Sequence, residues 1–285
     1  MSDLRSIKQR MGAIRNTKKI ADAMKMVSTA KYWRLLDQLR TVRIVVEQLD
    51  GFGIPGLPRH AWMPPNPKEP ASPEVKTPPS GEHLVLVFLP FRGMCGPLTQ
   101  NLLTSLMAWY PEPCDATFAV FGKKGLSTFR NLSKKTTEVP GPSMENLRKE
   151  DISELANFCA KGVQTERFDR IEGVGARFHN MLRQTPERFL MWPPPLPPDW
   201  EDLDVDPDPE TVCKRLLPLY FECHLRHFFL ESMVSEHGSR MAAMDNASNN
   251  AQELLDKFRL EYNKIRQSKI TLELMEIISG SEAVQ

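Results

Sequence analysis

The residues whose type and spacing could do chemistry are three glycine-containing turns, a few histidines and five cysteines. Gly93-Met94-Cys95-Gly96 follows an apolar run and precedes a helical pattern, the place where backbone N–H groups cradle phosphate in nucleotide-binding folds. It lacks the full glycine spacing and the Lys-Ser/Thr ending of a phosphate-binding loop, so a tight strand-to-helix turn is the competing reading. Phe121-Gly122-Lys123-Lys124-Gly125 has the same weakness, and Gly173-Val174-Gly175 a greater one. His224 and His227 share a helical face and His237 lies on the same helix, but no glutamate completes a His-Glu-x-x-His zinc motif. Cys95, Cys114, Cys159, Cys213 and Cys223 are odd in number and contain no Cys-x-x-Cys pair, which argues against a disulfide framework or a zinc site and for a reducing compartment. No Ser/His/Asp or Cys/His set is identifiable from order or spacing. The expectation is a chain with no catalytic residue, no cofactor and no metal ligand.

The elements that would position such residues are marked out by proline. Of 24 prolines none precedes Pro55 and none follows Pro218, which leaves both ends free to form long helices. From Leu4 the apolar residues recur through Ile7, Met11, Ile14, Ile20, Met24, Val27, Trp33, Leu36 and Leu39 in steps mostly of three and four, one stripe of a helix. Gly51-Phe52-Gly53 and Pro55 end it, after a reach of roughly 70 Å at ~1.5 Å per residue. At the other end, Leu230, Val234, His237, Met241, Met244, Ser248, Ala251, Leu255, Phe258, Tyr262, Ile265, Lys269 and Leu272 form a seam of coiled-coil spacing. Small residues from Ala242 to Ala251 would admit a partner helix closely. This helix is expected to start near the Asp-Pro run at 206–209 and to extend to Ser279 and Gly280, with Pro218 as a kink or its true beginning.

Between the helices, His83 to Leu89 is a continuous apolar run, the mark of a strand buried on both faces. Leu98 to Tyr110 reads as a helix, Ala116 to Phe121 as a strand, Gly125 to Leu132 as a short helix, and Lys135 to Val139 as a strand. Ile152 to Lys161 reads as a helix, Arg170 to Phe178 and Arg188 to Trp192 as strands. The alternation implies an α/β domain. The expected organisation is an N-terminal coiled-coil helix at 1–52, a Pro-rich loop at 53–81, a Rossmann-like α/β domain at 82–192, a Pro-rich acidic linker at 193–209 and a C-terminal coiled-coil helix at 210–285.

Composition excludes disordered and collagen-like chains, with 41% hydrophobic and 26% charged residues. No apolar run approaches the ~20 residues of a membrane span, and no secretory signal is expected from the N-terminal residues. The net charge of +1 recruits no polyanion, but its distribution is uneven. Residues 1–43 are strongly basic, from Arg5 to Arg43, while 199–210 is acidic. The basic stripe reads either as a solvated face or as a face that meets an acidic partner, nucleic acid or protein.

The words at both ends resemble one family. Ser6 to Lys31 (SIKQRMGAIRNTKKIADAMKMVSTAK) resembles the N-terminal helix of the gamma subunit of F-type ATP synthases. Ser239 to Ala251 (SRMAAMDNASNNA) and Tyr262 to Gly280 (YNKIRQSKITLELMEIISG) resemble its C-terminal helix. The middle is similar more loosely, through Arg92 to Asn101 and Phe121 to Gly125. The chain departs from the family's usual pattern at Pro97, where a glycine is usual, and at Ser281, where an alanine is usual.

The resemblance implies a divergent bacterial rotor subunit: an antiparallel coiled coil of the terminal helices inside a hexamer of alternating alpha and beta subunits, with the α/β domain meeting the epsilon subunit and the membrane c-ring. It implies a peripheral protein on the cytoplasmic face of the plasma membrane, not inserted and not bound to nucleic acid, that couples transmembrane ion flow to ATP synthesis or hydrolysis. By motif matching, Lys19, Met24, Arg240, Gln267 and Thr271 fall where the family makes shaft-to-beta contacts. Met241, Met244, Leu255, Phe258, Tyr262 and Ile265 are assigned to the coiled-coil seam. The alternatives are a coiled-coil scaffold or a nucleic-acid-binding α/β protein, either without an ATPase role.

Overall fold

A computed structural model of the chain describes residues 2–52, 81–122, 129, 135–140, 148–194 and 209–282. The Pro-rich segment at 53–80, most of the acidic linker and most of the short helix expected at Gly125–Leu132 lie outside these residues.

Helix α1 runs over Ser2–Phe52. After strand β1 (Glu82–Phe88) come α2 (Leu98–Trp109), β2 (Ala116–Phe121), α3 (Lys149–Gln164), β3 (Phe168–Asn180) and β4 (Arg183–Trp192). Helix α4 closes the chain over Pro209–Glu282. Since α4 begins at Pro209 and holds Pro218 inside it, Pro218 does not mark its start. The fold is a long antiparallel coiled coil of the terminal helices plus a Rossmann-like α/β domain inserted between them in sequence.

The chain forms two compact units. One consists of α1 up to Thr29 and α4 from Arg240; the other runs from Ala30 to Ser239.

In the second unit the sheet order is β2-β1-β3-β4. Strands β1 and β2 are parallel, with Val85 opposite Phe118, and β1 and β3 are parallel, with Val87 opposite Val174. Strand β4 runs antiparallel to β3, with Gly173 opposite Phe189. Because β1 is central, both of its faces are buried: Leu84, Leu86 and Phe88 enter one core and Val85, Val87 and Leu89 the other. That burial explains a strand with no apolar–polar alternation.

The core on one face joins Tyr32, Leu35 and Leu39 of α1, Ile152, Leu155 and Cys159 of α3, and Phe221, Leu225, Phe228 and Phe229 of α4. The opposite core is filled by Leu98, Leu102, Leu103 and Leu106 of α2 with Phe118, Phe129 and Val174. Helix α3 starts with Glu150 and Asp151 and ends with Lys161, charges that complement the helix dipole. The Arg167 N–H returns to the Gly162 carbonyl at 2.8 Å and closes the helix end.

Three sequence expectations are corrected in extent. Strand β3 begins two residues earlier than expected and continues to Asn180. Strand β4 begins at Arg183, well before Arg188, because it is an edge strand and so tolerates Pro186 opposite Ala176. The segment Lys135–Val139 is not a strand. It makes a single bridge, Thr136 with Phe118, held by Phe118 N–H to the Lys135 carbonyl and Thr137 N–H to the Phe118 carbonyl, both at 2.9 Å.

Candidate functional site

In the unit made of α1 up to Thr29 and α4 from Arg240, the two helices are antiparallel and their register is explicit. The Thr29 hydroxyl donates to Met241 Sδ at 3.0 Å, Lys25 Nζ meets Asp245 Oδ1 at 2.6 Å, Ser248 Oγ donates to Asp22 Oδ1 at 2.6 Å and Lys18 Nζ donates to Gln252 Oε1 at 2.9 Å. Each step forward on α1 is matched by an equal step back on α4. Ala21 and Ser28 on one helix and Ser248 and Ala251 on the other are buried, so small residues let the two backbones approach. Half-exposed pairs such as Lys25–Asp245 contribute little stability; their use is in selecting the register.

Met244 and Leu255 are buried, and Met241, Phe258, Tyr262 and Ile265 are half-buried. Beyond them the apolar residues are bare: Ile270, Leu272, Leu274, Met275, Ile277 and Ile278 are 47 to 68% exposed. The residues matched to partner contacts divide in the same way. Lys19, Gln267 and Thr271 are exposed and Met24 is half-buried. Arg240 is 3% exposed and engages groups within the chain. Arg5, Lys8, Arg10, Arg15 and Lys19 form an exposed cationic surface on α1.

The described parts of the glycine turns are engaged by the chain's own groups. In the loop after β1, the N–H groups of Phe91 and Arg92 donate to the Glu236 carboxylate at 3.0 and 3.3 Å, so the anion held there belongs to the chain itself. Met94 and Gly96 take left-handed backbone angles, φ 63° and 56°, which turn the chain into α2 while Cys95 is buried between them. Gly122 has φ 110°, and a Cβ there would strike the Leu89 carbonyl; it is a close crossing of two strand ends. Gly173 and Gly175 lie under Phe228.

Three histidines lie within ion-pair distance of carboxylates. His224 Nε2 is 3.1 Å from Asp50 Oδ1, His227 Nε2 is 3.4 Å from Glu231 Oε2 and His83 Nε2 is 3.3 Å from Glu172 Oε2. Among the described residues no group of three or more His, Cys, Asp or Glu side chains could hold a metal ion.

Two buried carboxylates stand out in the second unit. Glu172 on β3 is 2% exposed, and burial alone would raise its pKa. Bonds from His83, the Tyr110 hydroxyl and Arg170 outweigh that and hold it at about 2. Glu231 on α4 is fully buried; against the same burial effect, His227, the Phe178 N–H and Arg43 keep its pKa below the ordinary value. Arg43 Nη2 lies 3.2 and 3.0 Å from the two Glu231 oxygens. Sequence reasoning missed both groups. The available signal was an acidic residue inside an apolar run, as in Phe228-Phe229-Leu230-Glu231.

These features define two antiparallel terminal helices with an α/β domain inserted between them in sequence, an exposed apolar end on α4 and a cationic surface on α1. The family model described as ATP synthase matches residues 3–284. The chain is 34% identical to the ATP synthase gamma chain of Geotalea daltonii and 32% identical to that of Moorella thermoacetica, each over the whole of both chains. It is also similar in fold to a chain of the mitochondrial ATP synthase of Euglena gracilis, with a TM-score of 0.68 and 21% identity over 99% of this chain and 95% of that one. A chain in a rotor structure from the same organism gives a TM-score of 0.65 at 20% identity, over 94% of this chain and 99% of that one. The chain belongs to the ATP synthase family, and its relatives there are gamma chains. Among the described residues no helix is long and apolar enough to cross a membrane.

Proposed function

We propose that the chain is the central-stalk rotor subunit of a bacterial F-type ATP synthase, a noncatalytic, peripheral subunit on the cytoplasmic face of the membrane. Its terminal helices turn inside a hexamer of alternating alpha and beta subunits, and its α/β domain meets the epsilon subunit and the c-ring. The observation that carries this reading is the end of α4, where apolar residues from Ile270 to Ile278 stand bare. Six exposed apolar side chains within nine residues of one helix call for a partner that covers them, and an encircling hexamer would do so.

On this reading segments 1–52 and 210–285 are the shaft helices, 82–192 is the α/β foot, and 53–81 and 193–209 are connections. Lys19, Met24, Arg240, Gln267 and Thr271 touch beta subunits. Met241, Met244, Leu255, Phe258, Tyr262 and Ile265 line the seam. The exposed cations of α1 complement acidic loops.

The mechanism follows from symmetry. One asymmetric chain inside a ring of three identical beta subunits makes a different contact with each, and only differential contact energy shifts a conformational equilibrium. Turning the chain moves those differences around the ring, and ATP turnover in the ring must in return turn the chain.

Co-expression with the cognate alpha and beta subunits tests this reading. A stoichiometric ATP-hydrolysing complex containing the chain is expected; a complex that forms equally well without it, and never retains it, would refute the assignment.

A further inference from the structure

Within the unit formed by Ala30 to Ser239, one side of α4 carries Glu231, Ser235, Glu236 and Ser239, which are 0, 0, 5 and 7% exposed. An amphipathic helix packed on a sheet normally presents leucine or valine at such positions. Here each side chain is bonded to a main-chain group. Phe178 N–H donates to Glu231 Oε1 at 2.9 Å, and Ser235 Oγ donates to the Ala176 carbonyl at 3.0 Å. The N–H groups of Phe91 and Arg92 donate to Glu236, and Ser239 Oγ donates to the Cys95 carbonyl at 2.7 Å.

The partners share a location. Strand β1 ends at Phe88, and its last registered pair with β3 is Val87 with Val174. Ala176 and Phe178 lie on β3 past that pair, and Phe91, Arg92 and Cys95 lie in the loop that leaves β1. The α4 side chains therefore bond main-chain groups at the point where the β1–β3 ladder stops. Their senses match their chemistry: carboxylates accept from N–H groups and hydroxyls donate to carbonyls.

We propose that Glu231, Ser235, Glu236 and Ser239 are a torque joint that locks α4 against rotation about its own axis relative to the α/β sheet. The inference rests on the rotor function proposed above. Apolar contacts are non-directional and tolerate small slips, whereas hydrogen bonds hold only within narrow limits of distance and angle. Turning α4 by one residue, about 100°, would leave buried carboxylates and main-chain groups unpaired. The Phe228 ring, seated over Gly173 and Gly175, adds a steric key beside the polar bonds. These four are positioning residues; none touches a reacting group.

The test uses the chain assembled with its alpha and beta subunits on a surface, with a nanorod fixed to α3 through Asn157→Cys. The angular spread of the rod, recorded with hydrolysis arrested, reports the stiffness of everything between the hexamer and the α/β domain. With Ser235→Ala/Glu236→Gln/Ser239→Ala the spread is expected to widen by about half or more, while ATP hydrolysis stays within about twofold of wild type, since only the fixing bonds are removed. Phe229→Leu, which trims the apolar packing of α4, is expected to leave the spread unchanged despite lower stability. An unchanged spread in the triple variant, or an equal widening with Phe229→Leu, would overturn the joint. If the triple variant does not fold, Glu236→Gln and Ser239→Ala alone are read by the same criterion. A wild-type chain that fails to assemble or to turn would instead refute the rotor function on which the joint rests.

Discussion

The ring of Phe228 occupies the space in which a side chain at Gly173 would stand: a Cβ there meets Phe228 Cδ2 and Cε2 at 2.9 Å, and one at Gly175 meets Phe228 Cε2 at 2.8 Å. The Gly-Val-Gly of β3 is thus a saddle for an aromatic ring of α4. Phe228 is fully buried and flanked by Phe88, Phe189 and Phe229, so it has no room to withdraw.

Overpacking a closed core of this kind costs about 1–3 kcal/mol. Gly173→Ala is expected to lower the denaturant midpoint accordingly, with an unchanged slope. A midpoint equal to wild type would show that the ring yields and that the contact is loose.

The acid response of the α/β domain should run through Glu172. Its pKa in the folded protein is about 2 against an ordinary value of 4.5, so the carboxylate binds protons more weakly when folded. The stability it contributes is present above about pH 4.5 and is lost as the pH falls toward 2, about 3 kcal/mol at most. Glu231, also depressed, acts in the same direction. Glu172→Gln should therefore be least stable relative to wild type near neutrality, with the gap shrinking between pH 4.5 and 2 in urea titrations. A gap independent of pH would place the effect in packing.

Cys159 should be silent in the native state. It is fully buried in the core between α3 and the sheet, and burial pushes its thiol up to about 12, so almost no thiolate exists at neutral pH. Alkylation at pH 8 followed by mass mapping should modify Cys159 only after denaturant is added; rapid native labelling would mean that α3 opens readily.

In the helical pair, two leucines of α4 give an internal control. Leu255 is 3% exposed and Leu260 is 74% exposed. Leu255→Ala is expected to cost about 2–4 kcal/mol and Leu260→Ala to stay within about 0.5 kcal/mol, read as hydrogen-exchange protection of α4 from Arg240 onward. Equal effects would contradict the packing of α1 on α4.

How far the fold was legible in the sequence depended on where its information lies. The terminal helices were readable because their periodicity is carried by side chains and proline is absent from nearly all of their length. Strand β1 was readable because burial on both faces leaves an unbroken apolar run from Leu84 to Phe88. The ends of β3 and β4 were not, since Arg177 to Gln184 is a polar, largely exposed hairpin and Pro186 imitates a break. Phe91, Arg92, Ala176 and Phe178 bond through their main chains, which have no letter of their own, so Glu231, Ser235, Glu236 and Ser239 looked like interruptions of an apolar helix. The end of α4 from Ile270 to Ile278 reads as part of a seam until the structure shows its apolar side chains exposed. Lys19, Met24, Arg240, Gln267 and Thr271 were singled out only through the resemblance, because residue type and spacing inside one chain carry no record of what another chain touches.

The central claim is that this chain turns within its complex. With the alpha and beta subunits fixed to a surface and a probe attached to the α/β domain of the chain, addition of ATP is expected to produce unidirectional rotation that stops when ATP is removed. A hydrolysing complex in which the probe stays still, with the chain bound, would contradict the account.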